Sequence, residues 1–221
     1  MTLPTFPTSF TSEPRMVTNE DVDEHSPALE LLHSKGYILS LGVREQDVAA
    51  LTRIGSQLGT REYCPGDLER RWANINMARQ YMTKNGGRAV FLLRHASDYD
   101  EIIGYGWTRA ITKSDKAFLP TCNYTFGLRL DEAARGQKLA APTTESIVAA
   151  SMSLFNCRGV GLQSWQSNIA AIKSYQRAGA EITTIVENQP RPTLDTLKPA
   201  DENGRNITID SRVYMYFPWS E

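Results

Sequence analysis

The spacing of apolar and polar positions along this chain predicts a mixed α/β domain. Short apolar runs with period two or with a fully buried pattern predict strands at 37–43, 88–94, 101–111, 123–130, 159–164, 181–186 and 212–219. Apolar residues at helical spacing predict helices at 44–58, 67–83, 140–156 and 169–178. The pattern therefore predicts a mixed sheet of about seven strands flanked by about four helices.

Turn residues and polar stretches predict the connections between these elements. They fall at Pro65-Gly66, at Asn85-Gly86-Gly87, at 98–100, at 113–116 and in a polar loop over 188–207. Residues 1–36 are rich in Thr, Ser, Pro and acidic groups, and we interpret them as an N-terminal extension or arm in which only 28–32 indicates a short helix. The folded domain is expected to cover residues 37–221.

Composition narrows the classes of partner and compartment. Of 221 residues, 41% are hydrophobic and 22% are charged, and the net charge is −1. This balance argues against nucleic acid as an obligatory partner, because a phosphate backbone needs a basic face. Three cysteines without a CxxC pair fit a reducing cytoplasm. No leader pattern and no bilayer-length apolar run is present, so we expect no membrane association.

One segment has the pattern of a phosphate-binding loop. An apolar strand over Tyr124–Leu130 runs into Arg135-Gly136-Gln137-Lys138-Leu139-Ala140, and a helix follows at once. The first N–H groups of a helix lack partners within the helix and attract anions. Because Arg135 and Lys138 add positive charge beside them, phosphate or pyrophosphate is the natural ligand.

A second segment follows the next predicted strand. It reads Asn168-Ile169-Ala170-Ala171-Ile172, then Ser174-Tyr175, and ends at Gly179 before another strand. The two segments, in this order and at this separation, resemble the signatures of the GCN5-related N-acetyltransferase (GNAT) superfamily. The resemblance covers residues 37–219. Lys138 departs from it by standing where the family normally has glycine, and a lysine is accommodated there if its φ is negative.

The resemblance implies a fold and a donor. The fold would be a mixed, mostly antiparallel sheet that is splayed at its central pair of strands, with acetyl-CoA held in the gap and no metal. The implied coenzyme A contacts are Leu128, Arg129, Leu130, Arg135, Gly136, Gln137, Lys138, Leu139, Ala140, Asn168 and Tyr175. Backbone groups near Leu128 would also stabilise the oxyanion, and Tyr175 would protonate the departing thiolate.

Simpler roles exist for two of these residues. Asn168 is a good N-cap for the helix that follows, so capping alone can explain it. Tyr175 can be a core residue whose hydroxyl is satisfied. The segment 61–71 lies where the family forms one wall of its acceptor site, yet most of it also reads as a solvated surface.

The sequence leaves the general base and the acceptor open. Glu101, Asp131 and Glu132 are the carboxylates closest to the loop along the chain; we expect Asp131 and Glu132 to face solvent, and none has a firm role. Cys122 is expected to be a small buried residue, which gives no support to an acyl-cysteine intermediate.

The resemblance thus implies an acetyl-CoA-dependent N-acetyltransferase acting on a primary amine, in a small molecule or a peptide, through a ternary complex. The alternatives are a non-catalytic acyl-CoA-binding or sensor protein of the same fold, and an acyltransferase for aminoacyl-tRNA. The sequence does not decide whether the protein forms a homodimer.

Overall fold

The computed structural model describes residues 11–22, 26–63, 71–83, 87–157, 159–194, 204 and 206–218. The strands are β1 (Arg15–Met16), β2 (Tyr37–Leu41), β3 (Ala89–His95), β4 (Asp98–Ala110), β5 (Tyr124–Leu130), β6 (Gly159–Trp165), β7 (Glu181–Pro192) and β8 (Ile207–Pro218). The α-helices are α1 (Pro27–Ser34), α2 (Val48–Ser56), α3 (Leu58–Arg61), α4 (Ile75–Thr83), α5 (Lys113–Lys116), α6 (Ala140–Phe155) and α7 (Ile169–Arg177).

Within the described residues, eight strands form one sheet, in the order β1-β2-β3-β4-β5-β6-β8-β7. Every neighbouring pair is antiparallel except β5 and β6, which are parallel. The predicted fold class, a mixed and mostly antiparallel sheet flanked by helices, is confirmed. The additional strand is β1, whose two residues pair with the end of β2.

Each face of the sheet carries a hydrophobic core. On one face, Phe126 and Leu128 of β5 pack with Ile147 of α6 and Tyr175 of α7. We call this the α6/α7 face. On the other face, buried residues of α2 and α4 pack on Leu92 and Tyr105, and we call it the α2/α4 face. Because side chains alternate along a strand, successive residues of β5 and β6 point to different faces.

Several predicted boundaries are wrong. The helix predicted over 44–58 is divided, because Gln57 is extended with ψ 140° and separates α2 from α3. Residues Asp98–Asp100, predicted as a connection, already belong to β4. Strand β7 continues into the loop predicted over 188–207 as far as Pro192. Its pairing with β8 is interrupted after Val186 and resumes at Gln189.

Other predictions concern connections and the N-terminal segment. The connection predicted at 113–116 forms the short helix α5. The turns predicted at Pro65-Gly66 and Asn85-Gly86 lie outside the described residues, as does the start of the helix predicted over 67–83. The helix indicated at 28–32 is present as α1, and Leu29 belongs to the α6/α7 core. The division into an arm and a domain remains a prediction.

Candidate active site

A wedge opens between the two parallel strands at the centre of the sheet. Within the described residues, β5 and β6 are in register only at Tyr124 with Val160 and at Thr125 with Gly161. Beyond Thr125 the strands separate, while β5 stays paired with β4 as far as Leu130. The edge of β5 from Phe126 onwards therefore borders a gap that another extended, amide-bearing chain can enter.

The loop at the end of this wedge uses left-handed backbone conformations twice. Gly136 has φ 78° and Lys138 has φ 58°. The condition stated for a lysine at this position, a negative φ, is thus not met, because the chain adopts a left-handed conformation there before it enters α6. Glycine adopts this region freely, whereas lysine has a Cβ that crowds its own backbone. Lys138 is strained for the same geometric reason that would favour glycine.

Helix α6 begins without a side-chain cap. Its N-cap residue is Leu139, and its first turn contains no acidic residue; no side chain among the described residues bonds these first amides. The first bond within the helix is donated by Thr143 N–H to the carbonyl of Leu139, at 3.0 Å. Pro142 has no N–H to satisfy. The N–H groups of Ala140 and Ala141 thus add to a partial positive charge that suits a phosphate.

Arg135 connects this loop to the short helix α3. Its Nη2 donates to Thr60 Oγ1 at 3.1 Å, and its Nη1 lies 3.6 Å from the carboxylate of Glu132. That carboxylate also accepts a hydrogen bond from the N–H of Gly59, at 3.3 Å. The guanidinium of Arg135 occupies the space beside Gly59 where a Cβ would lie.

A cavity of about 700 Å³ fills the wedge. It is lined by ten of the residues that the sequence analysis assigned to coenzyme A, namely Leu128, Arg129, Leu130, Arg135, Gly136, Lys138, Leu139, Ala140, Asn168 and Tyr175. Gln137 is the exception. Its side chain bonds the hydroxyl of Tyr37 and the carbonyl of Ala133 and so fixes the loop from outside the cavity.

Helix α7 forms the second wall of the cavity. Asn168 caps it, since its side-chain oxygen accepts from the N–H of Ala171 at 3.4 Å. Tyr175 is buried, and its ring meets Phe126 of β5 edge to face at 6.1 Å. Asn168 therefore has the capping role that its position allows, and Tyr175 packs from α7 against β5 at the cavity wall.

The carboxylates considered from the sequence are not equivalent. Asp131 is buried at 6% exposure and is paired with the guanidinium of Arg53, so the expectation that it faces solvent is wrong. Its side chain also caps the turn at 132–134 by accepting from the N–H of Ala133. Glu132 is exposed, as expected, and Glu101 is an exposed residue of β4. None of the three lines the cavity.

Several lining residues were not singled out from the sequence. They are Thr60 and Glu62 with Tyr63, then Gln163, Ser164, Trp165 and Ser167 at the end of β6, Lys173 and Arg177 on α7, and Arg212 on β8. Only Glu62 and Tyr63 had a signal, as part of the segment 61–71, of which 64–70 lies outside the described residues. Arg212 could not be found from the sequence, because it reaches the cavity through its pairing with Trp165.

Comparison with solved structures agrees with this geometry. Spermidine N-acetyltransferase from Vibrio cholerae, solved with CoA and spermine, superposes with a TM-score of 0.61 at 13% identity, covering 81% of this chain and 95% of that one. The chain has the GNAT fold.

Two further structures show the same likeness in fold to this chain. An uncharacterized protein from Bacillus halodurans gives a TM-score of 0.60 at 13% identity, over 93% of this chain and 90% of that one. A proposed phosphinothricin N-acetyltransferase gives 0.55 at 13% identity, over 83% and 99%. No protein-family model matches the chain, and no curated protein matches it significantly. In the described part of the chain, no helix is both long and apolar enough to cross a membrane.

Proposed function

We propose that this protein is an acetyl-CoA-dependent N-acetyltransferase that acetylates a primary amine by direct attack within a ternary complex. The observation that carries the proposal is the wedge between β5 and β6, which leads to the uncapped N-terminus of α6. An extended pantetheine chain fits beside a strand edge, and a diphosphate fits a helix N-terminus. One ligand that contains both parts in this order is coenzyme A.

The donor would lie along β5 with its thioester beside Leu128. Main-chain groups of Leu128, Arg129 and Leu130 would bond the pantetheine amides. The backbone from Arg135 to Ala140 would surround the diphosphate, with charge added by Arg135 and Lys138. Most of these contacts use the backbone, which explains how a chain with 13% identity to its structural neighbours can keep such a site.

Chemistry then requires a series of proton and bond changes. The acceptor ammonium loses one proton, the amine nitrogen bonds the thioester carbon, this nitrogen gives up a second proton to solvent, and the carbon–sulfur bond breaks. The departing thiolate takes a proton, for which Tyr175 is the proposed donor because its ring lies buried between α7 and β5. The resulting tyrosinate recovers its proton from solvent.

Glu62 is the proposed acceptor for the ammonium proton. It is the one carboxylate among the described residues that line the cavity, whereas Asp131 is held in its pair with Arg53. The carbonyl of Glu62 accepts from Nη1 of Arg191 at 2.8 Å, which fixes the backbone at this residue. A carboxylate at the cavity wall can take the proton directly or through a water.

Direct transfer is preferred over an acyl-cysteine route. Cys122 and Cys157 are both buried, and burial raises the pKa of each thiol. A thiol with a raised pKa is a poor nucleophile near neutral pH. Neither of these cysteines lines the cavity.

The proposal is tested by measuring coenzyme A binding and thiol release on the same preparation. Saturating coenzyme A is expected to raise the melting temperature, and acetyl-CoA with an amine panel is expected to release free thiol in step with acetylated amine. Binding without thiol release for any amine would identify the sensor alternative. If coenzyme A does not raise the melting temperature and no thiol is released, both the enzyme proposal and the sensor alternative are refuted.

A further inference from the structure

Strands β7 and β8 carry a buried ion pair. Nε of Arg191 lies 3.1 Å from the carboxylate of Asp210, and the two side chains are only 10% and 9% exposed. Asp210 lies opposite Gln189 in the register of the strands, and Arg191 is two residues further along β7, so the side chains share one face of the sheet. Because Val213 and Met215 of β8 belong to the α6/α7 core, this pair lies on the other face.

The guanidinium of Arg191 also reaches the segment that carries the proposed proton acceptor. Its Nη1 donates to the main-chain carbonyl of Glu62 at 2.8 Å, and its Cζ lies 5.3 Å from the centre of the Tyr63 ring. Glu62 and Tyr63 both line the cavity, and Glu62 is 129 residues away from Arg191 in the chain. One buried cation thus joins β7 to the cavity wall.

Asp210 extends this connection to the start of α7. Its carboxylate accepts hydrogen bonds from the hydroxyl and the N–H of Ser167, and from the N–H of Ser211 at 2.8 Å. The carbonyl of Ser167 accepts in turn from the hydroxyl of Tyr63 at 3.4 Å. Ser167 lies two residues before α7, the helix that carries Tyr175. These contacts close a cycle that ties the cavity wall at Tyr63 to the helix of the proposed acid.

The carboxylate of Glu62 depends on its own backbone for its position. The side chain is exposed, and among the residues that the structure describes it makes no hydrogen bond or ion pair. The N–H of Glu62 donates to the carbonyl of Leu58 at the end of α3, at 2.9 Å, and its carbonyl is held by Arg191. Displacement of a reacting group by about 1 Å can lower a rate by about 100-fold, so these backbone bonds matter for proton transfer.

We propose that Arg191 is a positioning residue for acetyl transfer, which holds the backbone of Glu62 so that its carboxylate meets the ammonium of the acceptor. This inference rests on the proposed function, in which Glu62 takes the proton. Arginine suits the task because its planar fork contacts Asp210 and the Glu62 carbonyl together, while its face packs on Tyr63. Lysine has one ammonium on a flexible chain and cannot make all three contacts.

The variant R191K tests this role, because it keeps the positive charge beside Asp210 and removes the fork. Thiol release is measured with acetyl-CoA and the amine of a panel that reacts fastest with the parent protein. We expect kcat/KM for this amine to fall by about tenfold or more, with Kd for coenzyme A unchanged. The matched control is R79K, which changes an exposed arginine that pairs with Glu45 outside the cavity. A parental kcat/KM in R191K would overturn the inference and leave the N-acetyltransferase proposal intact.

A double-mutant cycle with Glu62 separates positioning from a general effect on the fold. If Arg191 acts through the Glu62 carboxylate, R191K should have little further effect on kcat/KM in an E62Q background. An equal loss in both backgrounds would show that Arg191 supports only the fold, and the inference would be wrong. If E62Q keeps the parental kcat/KM, the inference and the role of Glu62 both fall while the N-acetyltransferase proposal stands. Absence of thiol release with every amine would remove that proposal as well.

Hydrogen exchange tests the same contact without a substrate. R191K is expected to speed exchange of the Glu62 amide by about tenfold, because the segment loses its bond to β7 and opens more often. The Thr143 amide of α6, which donates to Leu139, should keep its parental rate. Exchange of single amides is followed by NMR. An unchanged rate at Glu62, or equal acceleration at both amides, would contradict the inference.

Discussion

The guanidinium of Arg135 donates a hydrogen bond from Nη2 to the hydroxyl oxygen of Thr60, at 3.1 Å. This bond joins the loop proposed to hold the diphosphate to helix α3, which leads directly to Glu62 and Tyr63. Arg135 therefore links the loop proposed to bind the donor with the segment that carries Glu62, the proposed proton acceptor.

Replacement of Arg135 by glutamine tests its role in donor binding. We expect R135Q to raise Kd for coenzyme A by about tenfold or more, because a charge-assisted bond to phosphate is lost. Isothermal titration measures the effect. Acetyl-pantetheine, which has no diphosphate, is the matched ligand, and its affinity should not change. Equal losses for both ligands would show that Arg135 acts only through the fold.

Lys138 offers a test of backbone strain. Its φ of 58° disfavours any residue with a Cβ, so K138G should raise the free energy of unfolding by about 1 kcal/mol. Urea denaturation gives the value. K138A removes the same charge but keeps the Cβ, and should leave the stability within about 0.5 kcal/mol of the parent. A gain of the same size in K138A would attribute the effect to charge instead.

Tyr175 is tested by removing its hydroxyl. Y175F should lower kcat by about 100-fold, the usual contribution of a general acid, because the thiolate would leave without a proton donor. Its ring packing on Phe126 is kept, so the affinity for acetyl-CoA should be unchanged. Stopped-flow measurement of a single turnover isolates the chemical step. A chemical step as fast as in the parent protein would rule out the acid role.

A buried ion pair predicts a dependence of stability on pH. Asp47 is bonded by Arg94, which is fully buried, at 2.7 Å. Burial opposes ionisation of Asp47, but hydrogen bonds from Arg44 and Arg94 outweigh it and lower the pKa of this carboxyl below its usual range. The stabilisation is therefore complete above the ordinary aspartate pKa, near pH 4, and is lost as the pH falls through the lower pKa of the folded state.

D47N should destabilise the protein by about 3–5 kcal/mol at neutral pH, because it leaves the charge of Arg94 buried without its partner. Urea denaturation between about pH 3 and pH 7 should also show a smaller loss on acidification than in the parent. The control is D100N, since Asp100 is 68% exposed where it meets Arg44 and its removal should cost less than about 1 kcal/mol. Equal effects of the two variants would contradict this account.

Local sequence was sufficient for much of the fold. The bounds of α6 and α7 agree closely with their apolar periodicity, and the strands from β3 to β6 were each located. The predictions failed where long-range pairing decides the conformation. Pairing with β8 resumes at Gln189, beyond an irregularity that contains Asn188 with its left-handed φ of 56°. The helix break between α2 and α3 likewise lies at Gln57, whose side chain accepts a hydrogen bond from the N–H of Glu132, 75 residues away.

The loop at 135–140 and the capping position of Asn168 were determined by sequence alone, because turns and helix ends depend on neighbouring residues. Tertiary structure decided what surrounds them. The burial of Asp131 with Arg53, the meeting of Arg135 with Thr60 and the approach of Arg212 to the wedge all join residues far apart in the chain. Strand pairing sets those distances, and the pattern of a single segment does not contain them.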